Sequence, residues 1–200
     1  MLSVGILVFD DVEILDFSGP YEVFSTAARV HGRTNGHADA GQLFRCFLVA
    51  ASMRPIRTRG GMLVLPDCVL PPVADIDVLL VPGGDVSVIR NNDAVIAWIA
   101  EQSRSTEIIA SVCTGAFLLA KAGVLDGLDV TTHWEDLDEL QSSFPKLTLQ
   151  RDVAWVDCGK VLTSGGISAG VDMSLHLVAR LAGRPLATAT AKQMEYRWLQ

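Results

Sequence analysis

Three short apolar runs in this sequence each end in a turn that contains glycine. Asp77–Val81 runs into Pro82-Gly83-Gly84, Glu107–Val112 into Cys113-Thr114-Gly115, and Val161–Ser164 into Gly165-Gly166. A helical pattern follows each turn, and strands that alternate with helices predict a mostly parallel sheet covered by helices on both faces. Ligands bind beyond the C-terminal ends of such strands. The sequence therefore predicts an α/β fold in which the three turns converge on one crevice.

The remaining pattern extends this succession along all 200 residues, which we interpret as one domain, 1–200. Gly60-Gly61 predicts a small hairpin, and the polar, glycine-rich stretch 31–41 predicts a surface loop. The other predicted strands are Ser3–Phe9, Phe44–Ala51, Val130–His133 and Val153–Asp157. One predicted helix begins near Ser18-Gly19-Pro20, and another begins after a cap at Asn92-Asp93. A helix that follows Gly165-Gly166 has Ile167, Val171, Leu175, Val178 and Leu181 on one face. The other predicted helices are Ala116–Ala122, Trp134–Gln141 and Pro185–Trp198.

Composition narrows the possible partners. Sixteen basic against 23 acidic residues give a formal charge of −7, the wrong sign for a protein that neutralises phosphates, so we expect no direct nucleic-acid binding. The apolar stretch from Ile108 to Ala120 is shorter than the roughly 20 residues that span a bilayer, and the opening residues have no basic leader, so we expect a cytoplasmic protein with no membrane segment. Four cysteines without metal-ligand spacing predict neither metal nor cofactor.

Cys113 is the candidate nucleophile. Ser111 lies two residues before it and Gly115 two after, which is the spacing of a strained strand-to-helix turn. Its sulfur would then face the start of the next helix, where partial positive charge favours a thiolate. The alternative is a buried cysteine that acts as a small hydrophobe, which we prefer for Cys46, Cys68 and Cys158.

Such a nucleophile needs donors for developing negative charge and a group that moves protons. The backbone N–H groups of Gly83, Gly84 and Thr114 are the candidate donors. Asp16, between apolar neighbours, is expected to be partly buried with a perturbed pKa, and His133 is the other candidate base. The residues alone do not rank these two.

The motifs Ser111-Val112-Cys113-Thr114-Gly115, Thr131-Thr132-His133-Trp134 and Thr163–Asp172 together resemble the ThiJ/PfpI superfamily. The segment from Val8-Phe9 to Gly19-Pro20 and Val81-Pro82-Gly83-Gly84 also match, so the resemblance covers nearly the whole chain. It implies a flavodoxin-like sandwich of the class I glutamine amidotransferase-like type, usually a homodimer with the cysteine pocket near the subunit interface. Isonitrile hydratases and the ligand-sensing domains of AraC-type regulators are the most similar subgroups.

The resemblance to the hydratases implies roles for three residues. Cys113 would attack an isonitrile carbon, Asp16 would handle the proton, and Thr114 would position the group, which yields an N-substituted formamide. Thr114 stands where the superfamily's proteases carry histidine, and Asp16 where its glyoxal-acting members carry glutamate, so neither activity is favoured. His133 is then a pocket residue.

The functional expectation is therefore a cysteine-dependent hydratase or hydrolase of small carbon–nitrogen electrophiles. Two alternatives stay open. One is a stand-alone ligand-sensing domain related to AraC-type regulators, and the other is a redox-responsive thiol protein whose Cys113 is oxidised without turnover.

Overall fold

The computed structural model describes residues 1–34, 43–70 and 75–198. Within these ranges, seven strands form one sheet in the order β10-β11-β7-β6-β1-β2-β5, and two short pairs, β3-β4 and β8-β9, lie beside it. The strands are β1 (Leu2–Leu7), β2 (Phe44–Ala50), β3 (Ile56–Arg57), β4 (Leu63–Val64), β5 (Cys68–Val69), β6 (Val78–Val81), β7 (Ile108–Val112), β8 (Asp129–Val130), β9 (Thr148–Leu149), β10 (Trp155–Cys158) and β11 (Val161–Ser164).

The sheet is parallel except for β10, which pairs antiparallel with β11 at one edge. The central strands β6 and β7 are buried at every position, as expected for strands covered on both faces. The helices that cover them are α1 (Ile14–Thr34), α2 (Asp93–Ser105), α3 (Gly115–Lys121), α4 (Leu137–Ser143), α5 (Ala169–Ala182) and α6 (Arg184–Gln193). α1 packs against α5 and α6, and α2 packs against α3, so the predicted α/β sandwich is confirmed.

The convergence of the three glycine turns is also confirmed. They follow β6, β7 and β11, which are neighbours in the sheet, and the loop from β1 into α1 adds a fourth segment at the same edge. The hairpin predicted at Gly60-Gly61 is present as β3 and β4. The side chain of Asn92 caps α2 by accepting a hydrogen bond from the backbone N–H of Val95.

Several predicted boundaries are wrong for local reasons. α1 begins at Ile14, so Pro20 lies inside the helix rather than in its first turn; the side chain of Glu13 accepts the N–H of Ile14 and supports the earlier start. The strand predicted to end at His133 ends at Val130. Ile167 precedes α5 with φ +52° and does not belong to the helical face.

Two further boundaries concern helix ends. The last helix ends at Gln193 instead of Trp198. Residues 31–34 of the predicted loop 31–41 belong to α1, which continues to Thr34, and the rest of the predicted loop lies outside the described residues. None of the described helices is both long and apolar enough to cross a lipid bilayer.

Candidate active site

Cys113 occupies a strained turn between β7 and α3. Its φ of +56° places a non-glycine residue in the left-handed region, which is costly and persists only where the surroundings enforce it. Its N–H is shared between the carbonyls of Ser164 and Gly165, each 3.2 Å away, and its carbonyl accepts the hydroxyl of Thr132 at 2.8 Å. The predicted strand-to-helix elbow is therefore confirmed and is held from two other segments.

Two glycines let the backbone close around this turn. A Cβ on Gly115 would lie 2.1 Å from the carbonyl oxygen of Val81. A Cβ on Gly83 would lie 2.6 Å from the nitrogen of Thr114 and 2.9 Å from Oδ2 of Asp16. Real Cβ atoms do not approach that closely, so the contact between the turns after β6 and β7 requires glycine at both positions.

Asp16 lies in the first turn of α1 and is fully buried. Its Oδ2 accepts the N–H of Gly83 at 3.0 Å. The pKa of this carboxyl is raised to about 7, mainly by burial and also by the charge of Glu13, against the opposing effects of the N–H of Gly83, the N–H of Ile167 and the Cys113 thiol. Oδ1 has no hydrogen-bond partner of standard geometry among the described residues. The expected buried carboxyl with a perturbed pKa is confirmed.

The ionised thiol expected at Cys113 is not found. Burial raises the pKa of Cys113 to about 12, and the negative charges of Asp16 and Asp136 act in the same direction against the opposing N–H and hydroxyl of Thr114. α3 has only seven residues, and its dipole does not outweigh burial next to a carboxylate. At neutral pH the proton therefore resides on the sulfur, and Asp16 is the group ready to accept it.

The donor roles predicted for Gly83 and Gly84 also need correction. The N–H of Gly83 is donated to Asp16, and the N–H of Gly84 is donated to Oγ1 of Thr114 at 2.9 Å. The same hydroxyl donates to the carbonyl of Gly84, also at 2.9 Å. The N–H groups of both glycines therefore hold other residues of the site in place. Of the three predicted donors, the N–H of Thr114 is the one that faces the sulfur.

His133 lies between β8 and a 3-10 turn, Trp134–Asp136. Its Nδ1 is 3.4 Å from Oδ2 of Asp136. Its ring packs against Gly166, where a Cβ would lie 2.2 Å from Cδ2 of His133. A second glycine of the β11 turn thus makes room for this ring.

A cavity of about 360 Å³ opens above Cys113. Of the predicted residues, Cys113, Thr114, Gly84 and His133 line it, whereas Asp16 and Gly83 are buried and do not line it. The other lining residues are Glu13, Arg59, Asp85, Val86, Ser87, Arg90, Phe117, Glu135, Asp136, Glu139 and Ile167. Among the described residues, no three His, Cys, Asp or Glu side chains converge closely enough to hold a metal ion.

Sequence reasoning missed most of the charged wall of this cavity. Glu13, Asp85 and Glu135 each lie within three residues of a motif residue, so proximity to a motif was a usable signal. Arg59 comes from the β3-β4 hairpin and Arg90 from a 3-10 turn, Ile89–Asn91. Nothing in the local sequence of these two indicates that they reach the cavity.

Comparison with known proteins places this geometry in a family. The DJ-1/PfpI family model matches residues 2–180. An isonitrile hydratase from Pseudomonas putida is 31% identical over 98% of this chain and 78% of its own length. The HTH-type transcriptional regulator GbdR from Pseudomonas aeruginosa is 29% identical over 97% of this chain and 50% of its own length, so the chain spans about half of that relative.

A solved structure agrees with the sequence matches. The ThiJ/PfpI family protein from Pseudomonas syringae superposes with a TM-score of 0.83 at 25% identity, and the match covers 98% of this chain and 75% of that one. The fold, the strained cysteine turn and these matches agree, and we conclude that the chain belongs to the DJ-1/PfpI family.

Proposed function

We propose that this protein is a cysteine-dependent hydratase of small carbon–nitrogen electrophiles that converts an isonitrile and water into an N-substituted formamide. One observation carries the proposal: a carboxyl with a pKa of about 7, Asp16, is buried next to the sulfur of Cys113, which lines a cavity. A group with a pKa near the working pH can both accept and return a proton. The similarity to an isonitrile hydratase supports the same chemistry.

In the first step, the sulfur of Cys113 attacks the isonitrile carbon while Asp16 accepts the thiol proton. Asp16 then delivers that proton to the same carbon. The S–H bond breaks, C–S and C–H bonds form, and the product is a thioimidate in which nitrogen is doubly bonded to carbon. The N–H of Thr114 stabilises the negative charge that develops on sulfur in the transition state.

In the second step, water adds to the thioimidate carbon as Asp16 takes one of its protons and passes it to the nitrogen. The C–S bond of this tetrahedral species then breaks, the proton of its new hydroxyl group passes by way of Asp16 to the sulfur, and the formamide leaves. One water is consumed and Cys113 returns to its starting form, so the cycle needs neither an oxidant nor a reductant. A cytoplasmic location is part of the proposal, because a reducing compartment keeps the thiol free.

The test is an assay of formamide formation from a panel of small alkyl isonitriles. We expect turnover by the wild type, loss of at least about 10³-fold in kcat for Cys113→Ala, and loss of about 10²- to 10³-fold for Asp16→Asn. Cys158→Ala, which removes an exposed free thiol, is the matched control and should retain wild-type kcat. Absence of wild-type turnover across the panel would refute the proposal.

A ligand-sensing domain is the second candidate, favoured by the similarity to a transcriptional regulator over nearly the whole chain. The protonated sulfur of Cys113 is compatible with a binding wall that performs no chemistry. Thermal stabilisation by a ligand that is recovered unchanged would support this candidate over the hydratase. The redox-thiol alternative requires thiolate character and exposure at Cys113, and the raised pKa and burial of that thiol favour it less than the other two candidates.

A further inference from the structure

The cavity above Cys113 has an unbalanced charge. Five carboxylates but only two guanidinium groups line it, so the wall carries three more negative than positive charges. The carboxylates are those of Glu13, Asp85, Glu135, Asp136 and Glu139, and the guanidinium groups are those of Arg59 and Arg90. A concave site with low-dielectric walls concentrates such a field rather than dispersing it.

Both guanidinium groups already act on carboxylates of the same wall. Nη1 of Arg90 lies 3.3 Å from Oε1 of Glu139. The pKa of Asp85 is lowered first by hydrogen bonds from Ser87, and the charges of Arg59 and Arg90 lower it further. Among the described residues, no Lys or Arg forms an ion pair with Glu13, Glu135 or Asp136. Nδ1 of His133 lies 3.9 Å from Oε2 of Glu135 and 3.4 Å from Oδ2 of Asp136. The uncompensated charge therefore lies on the side of the cavity next to His133 and on Glu13.

A further carboxyl lies next to the sulfur, outside the lining of the cavity. Asp16 is fully buried, and its Oδ1 has no partner of standard geometry in the described part of the chain. The carboxylates also repel one another. Burial raises the pKa of Asp136, and the charges of Glu139 and Glu135 raise it against the opposing charge of His133. The charge of Glu13 likewise raises the pKa of Asp16. A positive charge in the cavity would relieve this repulsion.

We propose that the cavity takes a positively charged substrate, namely an isonitrile whose substituent carries an ammonium group. This inference rests on the proposed hydratase function and names its substrate class. The ammonium group contacts the carboxylates of Glu135 and Asp136, with the charge of Glu139 close to Asp136, while the isonitrile carbon meets the sulfur of Cys113. Its positive charge offsets the negative charge that forms on sulfur during attack, so it contributes to the transition state as well as to binding.

The experiment compares two substrates of nearly the same shape. One is 2-isocyanoethyl-trimethylammonium, whose charge does not titrate, and the other is 3,3-dimethylbutyl isonitrile, in which carbon replaces the charged nitrogen. We expect kcat/KM for the cation to exceed that for the neutral compound by at least about tenfold at low salt, and the ratio to fall as ionic strength rises.

A pair of variants on α4 tests the role of the wall. Glu139→Gln removes a wall carboxylate and frees Arg90, so the preference for the cation should fall by at least about threefold. Asp138→Asn removes the neighbouring carboxylate, which is 88% exposed, does not line the cavity and pairs with Arg151, and it should leave the preference unchanged. The readout is the ratio of the two kcat/KM values, in which a general loss of folded protein cancels.

The outcomes separate this inference from the function on which it rests. Equal or faster hydration of the neutral compound would overturn the charge preference and leave the hydratase intact. If neither isonitrile is hydrated, the hydratase proposal fails, and calorimetric binding of the two corresponding formamides decides the charge question. Tighter binding of the trimethylammonium formamide would support the inference, and equal or weaker binding would overturn it.

Discussion

Asp16 and Cys113 lie next to each other, and their two pKa values decide which of them is charged at a given pH. Burial raises both pKa values, that of the carboxyl to about 7 and that of the thiol to about 12. The carboxyl is therefore the first of the two to ionise, and the thiol ionises only as it attacks. This order suits a nucleophile that is activated by its substrate, because a standing thiolate in a resting enzyme is open to oxidation.

The raised pKa of Asp16 predicts a pH-dependent cost to stability. In the unfolded chain this carboxyl ionises near the ordinary aspartate pKa of 3.8, whereas in the folded chain it does so near 7. The stabilisation from the protonated group is complete below pH 4 and is lost as pH rises towards 7, by up to about 4 kcal/mol. Asp16→Asn has no such loss.

We therefore expect the stability of Asp16→Asn relative to wild type to increase by at least about 2 kcal/mol between pH 4.5 and pH 8, measured by urea unfolding. The control is Asp138→Asn, which removes an exposed carboxylate and whose difference from wild type should change by less than about 1 kcal/mol over the same range. If the difference in the free energy of unfolding between Asp16→Asn and wild type is the same at both pH values, the pKa of Asp16 is not raised by folding.

At this scale the sequence identified the central residues but not their ionisation. The elbow spacing around Cys113 and the apolar neighbours of Asp16 were sufficient to select both residues. The protonation of the thiol depends on its burial and on a carboxyl 97 positions away along the chain, and both exist only after folding. The same holds for Gly83 and Gly84, whose N–H groups are occupied by side chains from other segments.

At the scale of elements, the glycine turn after β6 controls whether Asp16 reaches the sulfur. A Cβ at position 83 would lie 2.5 Å from Oγ1 of Thr114 as well as close to Asp16. Gly83→Ala must therefore displace the turn after β7 or the start of α1. We expect a loss of roughly 1–3 kcal/mol in the free energy of unfolding, by analogy with overpacked sites, and at least about 10²-fold lower kcat for isonitrile hydration.

Gly32→Ala is the matched control for that substitution. Gly32 lies within α1, and a Cβ there would meet nothing within 4 Å. Alanine in a helix is about 1 kcal/mol more favourable than glycine, so this variant should be neutral or slightly more stable in urea unfolding with unchanged kcat. Equal effects of the two substitutions would show that close packing at position 83 does not determine the stability or kcat.

Element boundaries were predicted less well than element types, and the errors have a common cause. Pro20 was placed in the first turn of α1 by its local preference, yet the helix begins six residues earlier because Glu13 and the carbonyl of Gly83 hold the chain at that point. Ile167 fits the apolar spacing of α5 but takes a positive φ and lines the cavity. In both cases tertiary contacts at the site override the local pattern.

At the scale of the whole molecule, the site lies at the ends of four adjacent strands. In the order β11-β7-β6-β1, each strand ends in a segment that contacts the next: Gly165 holds Cys113, Thr114 holds Gly84, and Gly83 holds Asp16. The alternation of strands and helices predicted that these ends share one edge. The part of the cavity wall formed by Arg59 and Glu139 could not be predicted, since these residues come from distant segments that no periodic pattern links.

Exposed apolar side chains around this cavity predict that a second copy of the chain covers its mouth. Trp134 is 73% exposed and Val88 79% exposed, each next in the chain to a residue that lines the cavity, and Ile167 in the lining is also exposed. Large apolar groups grouped at a functional mouth mark an interaction surface. Together with the resemblance noted from the sequence motifs, this leads us to expect a homodimer whose interface includes Trp134.

Sedimentation velocity at micromolar concentration should therefore give a species of twice the 21.5 kDa chain mass. Trp134→Glu removes an aromatic anchor and adds a negative charge to an acidic surface, so it should weaken self-association by at least about 30-fold, as loss of an interface hot spot does. Val69→Glu is the control, because Val69 is an exposed apolar residue on β5, at the sheet edge away from the cavity, and that variant should sediment as wild type does. A monomeric wild type, or equal weakening by both substitutions, would remove Trp134 and the cavity mouth from the interface.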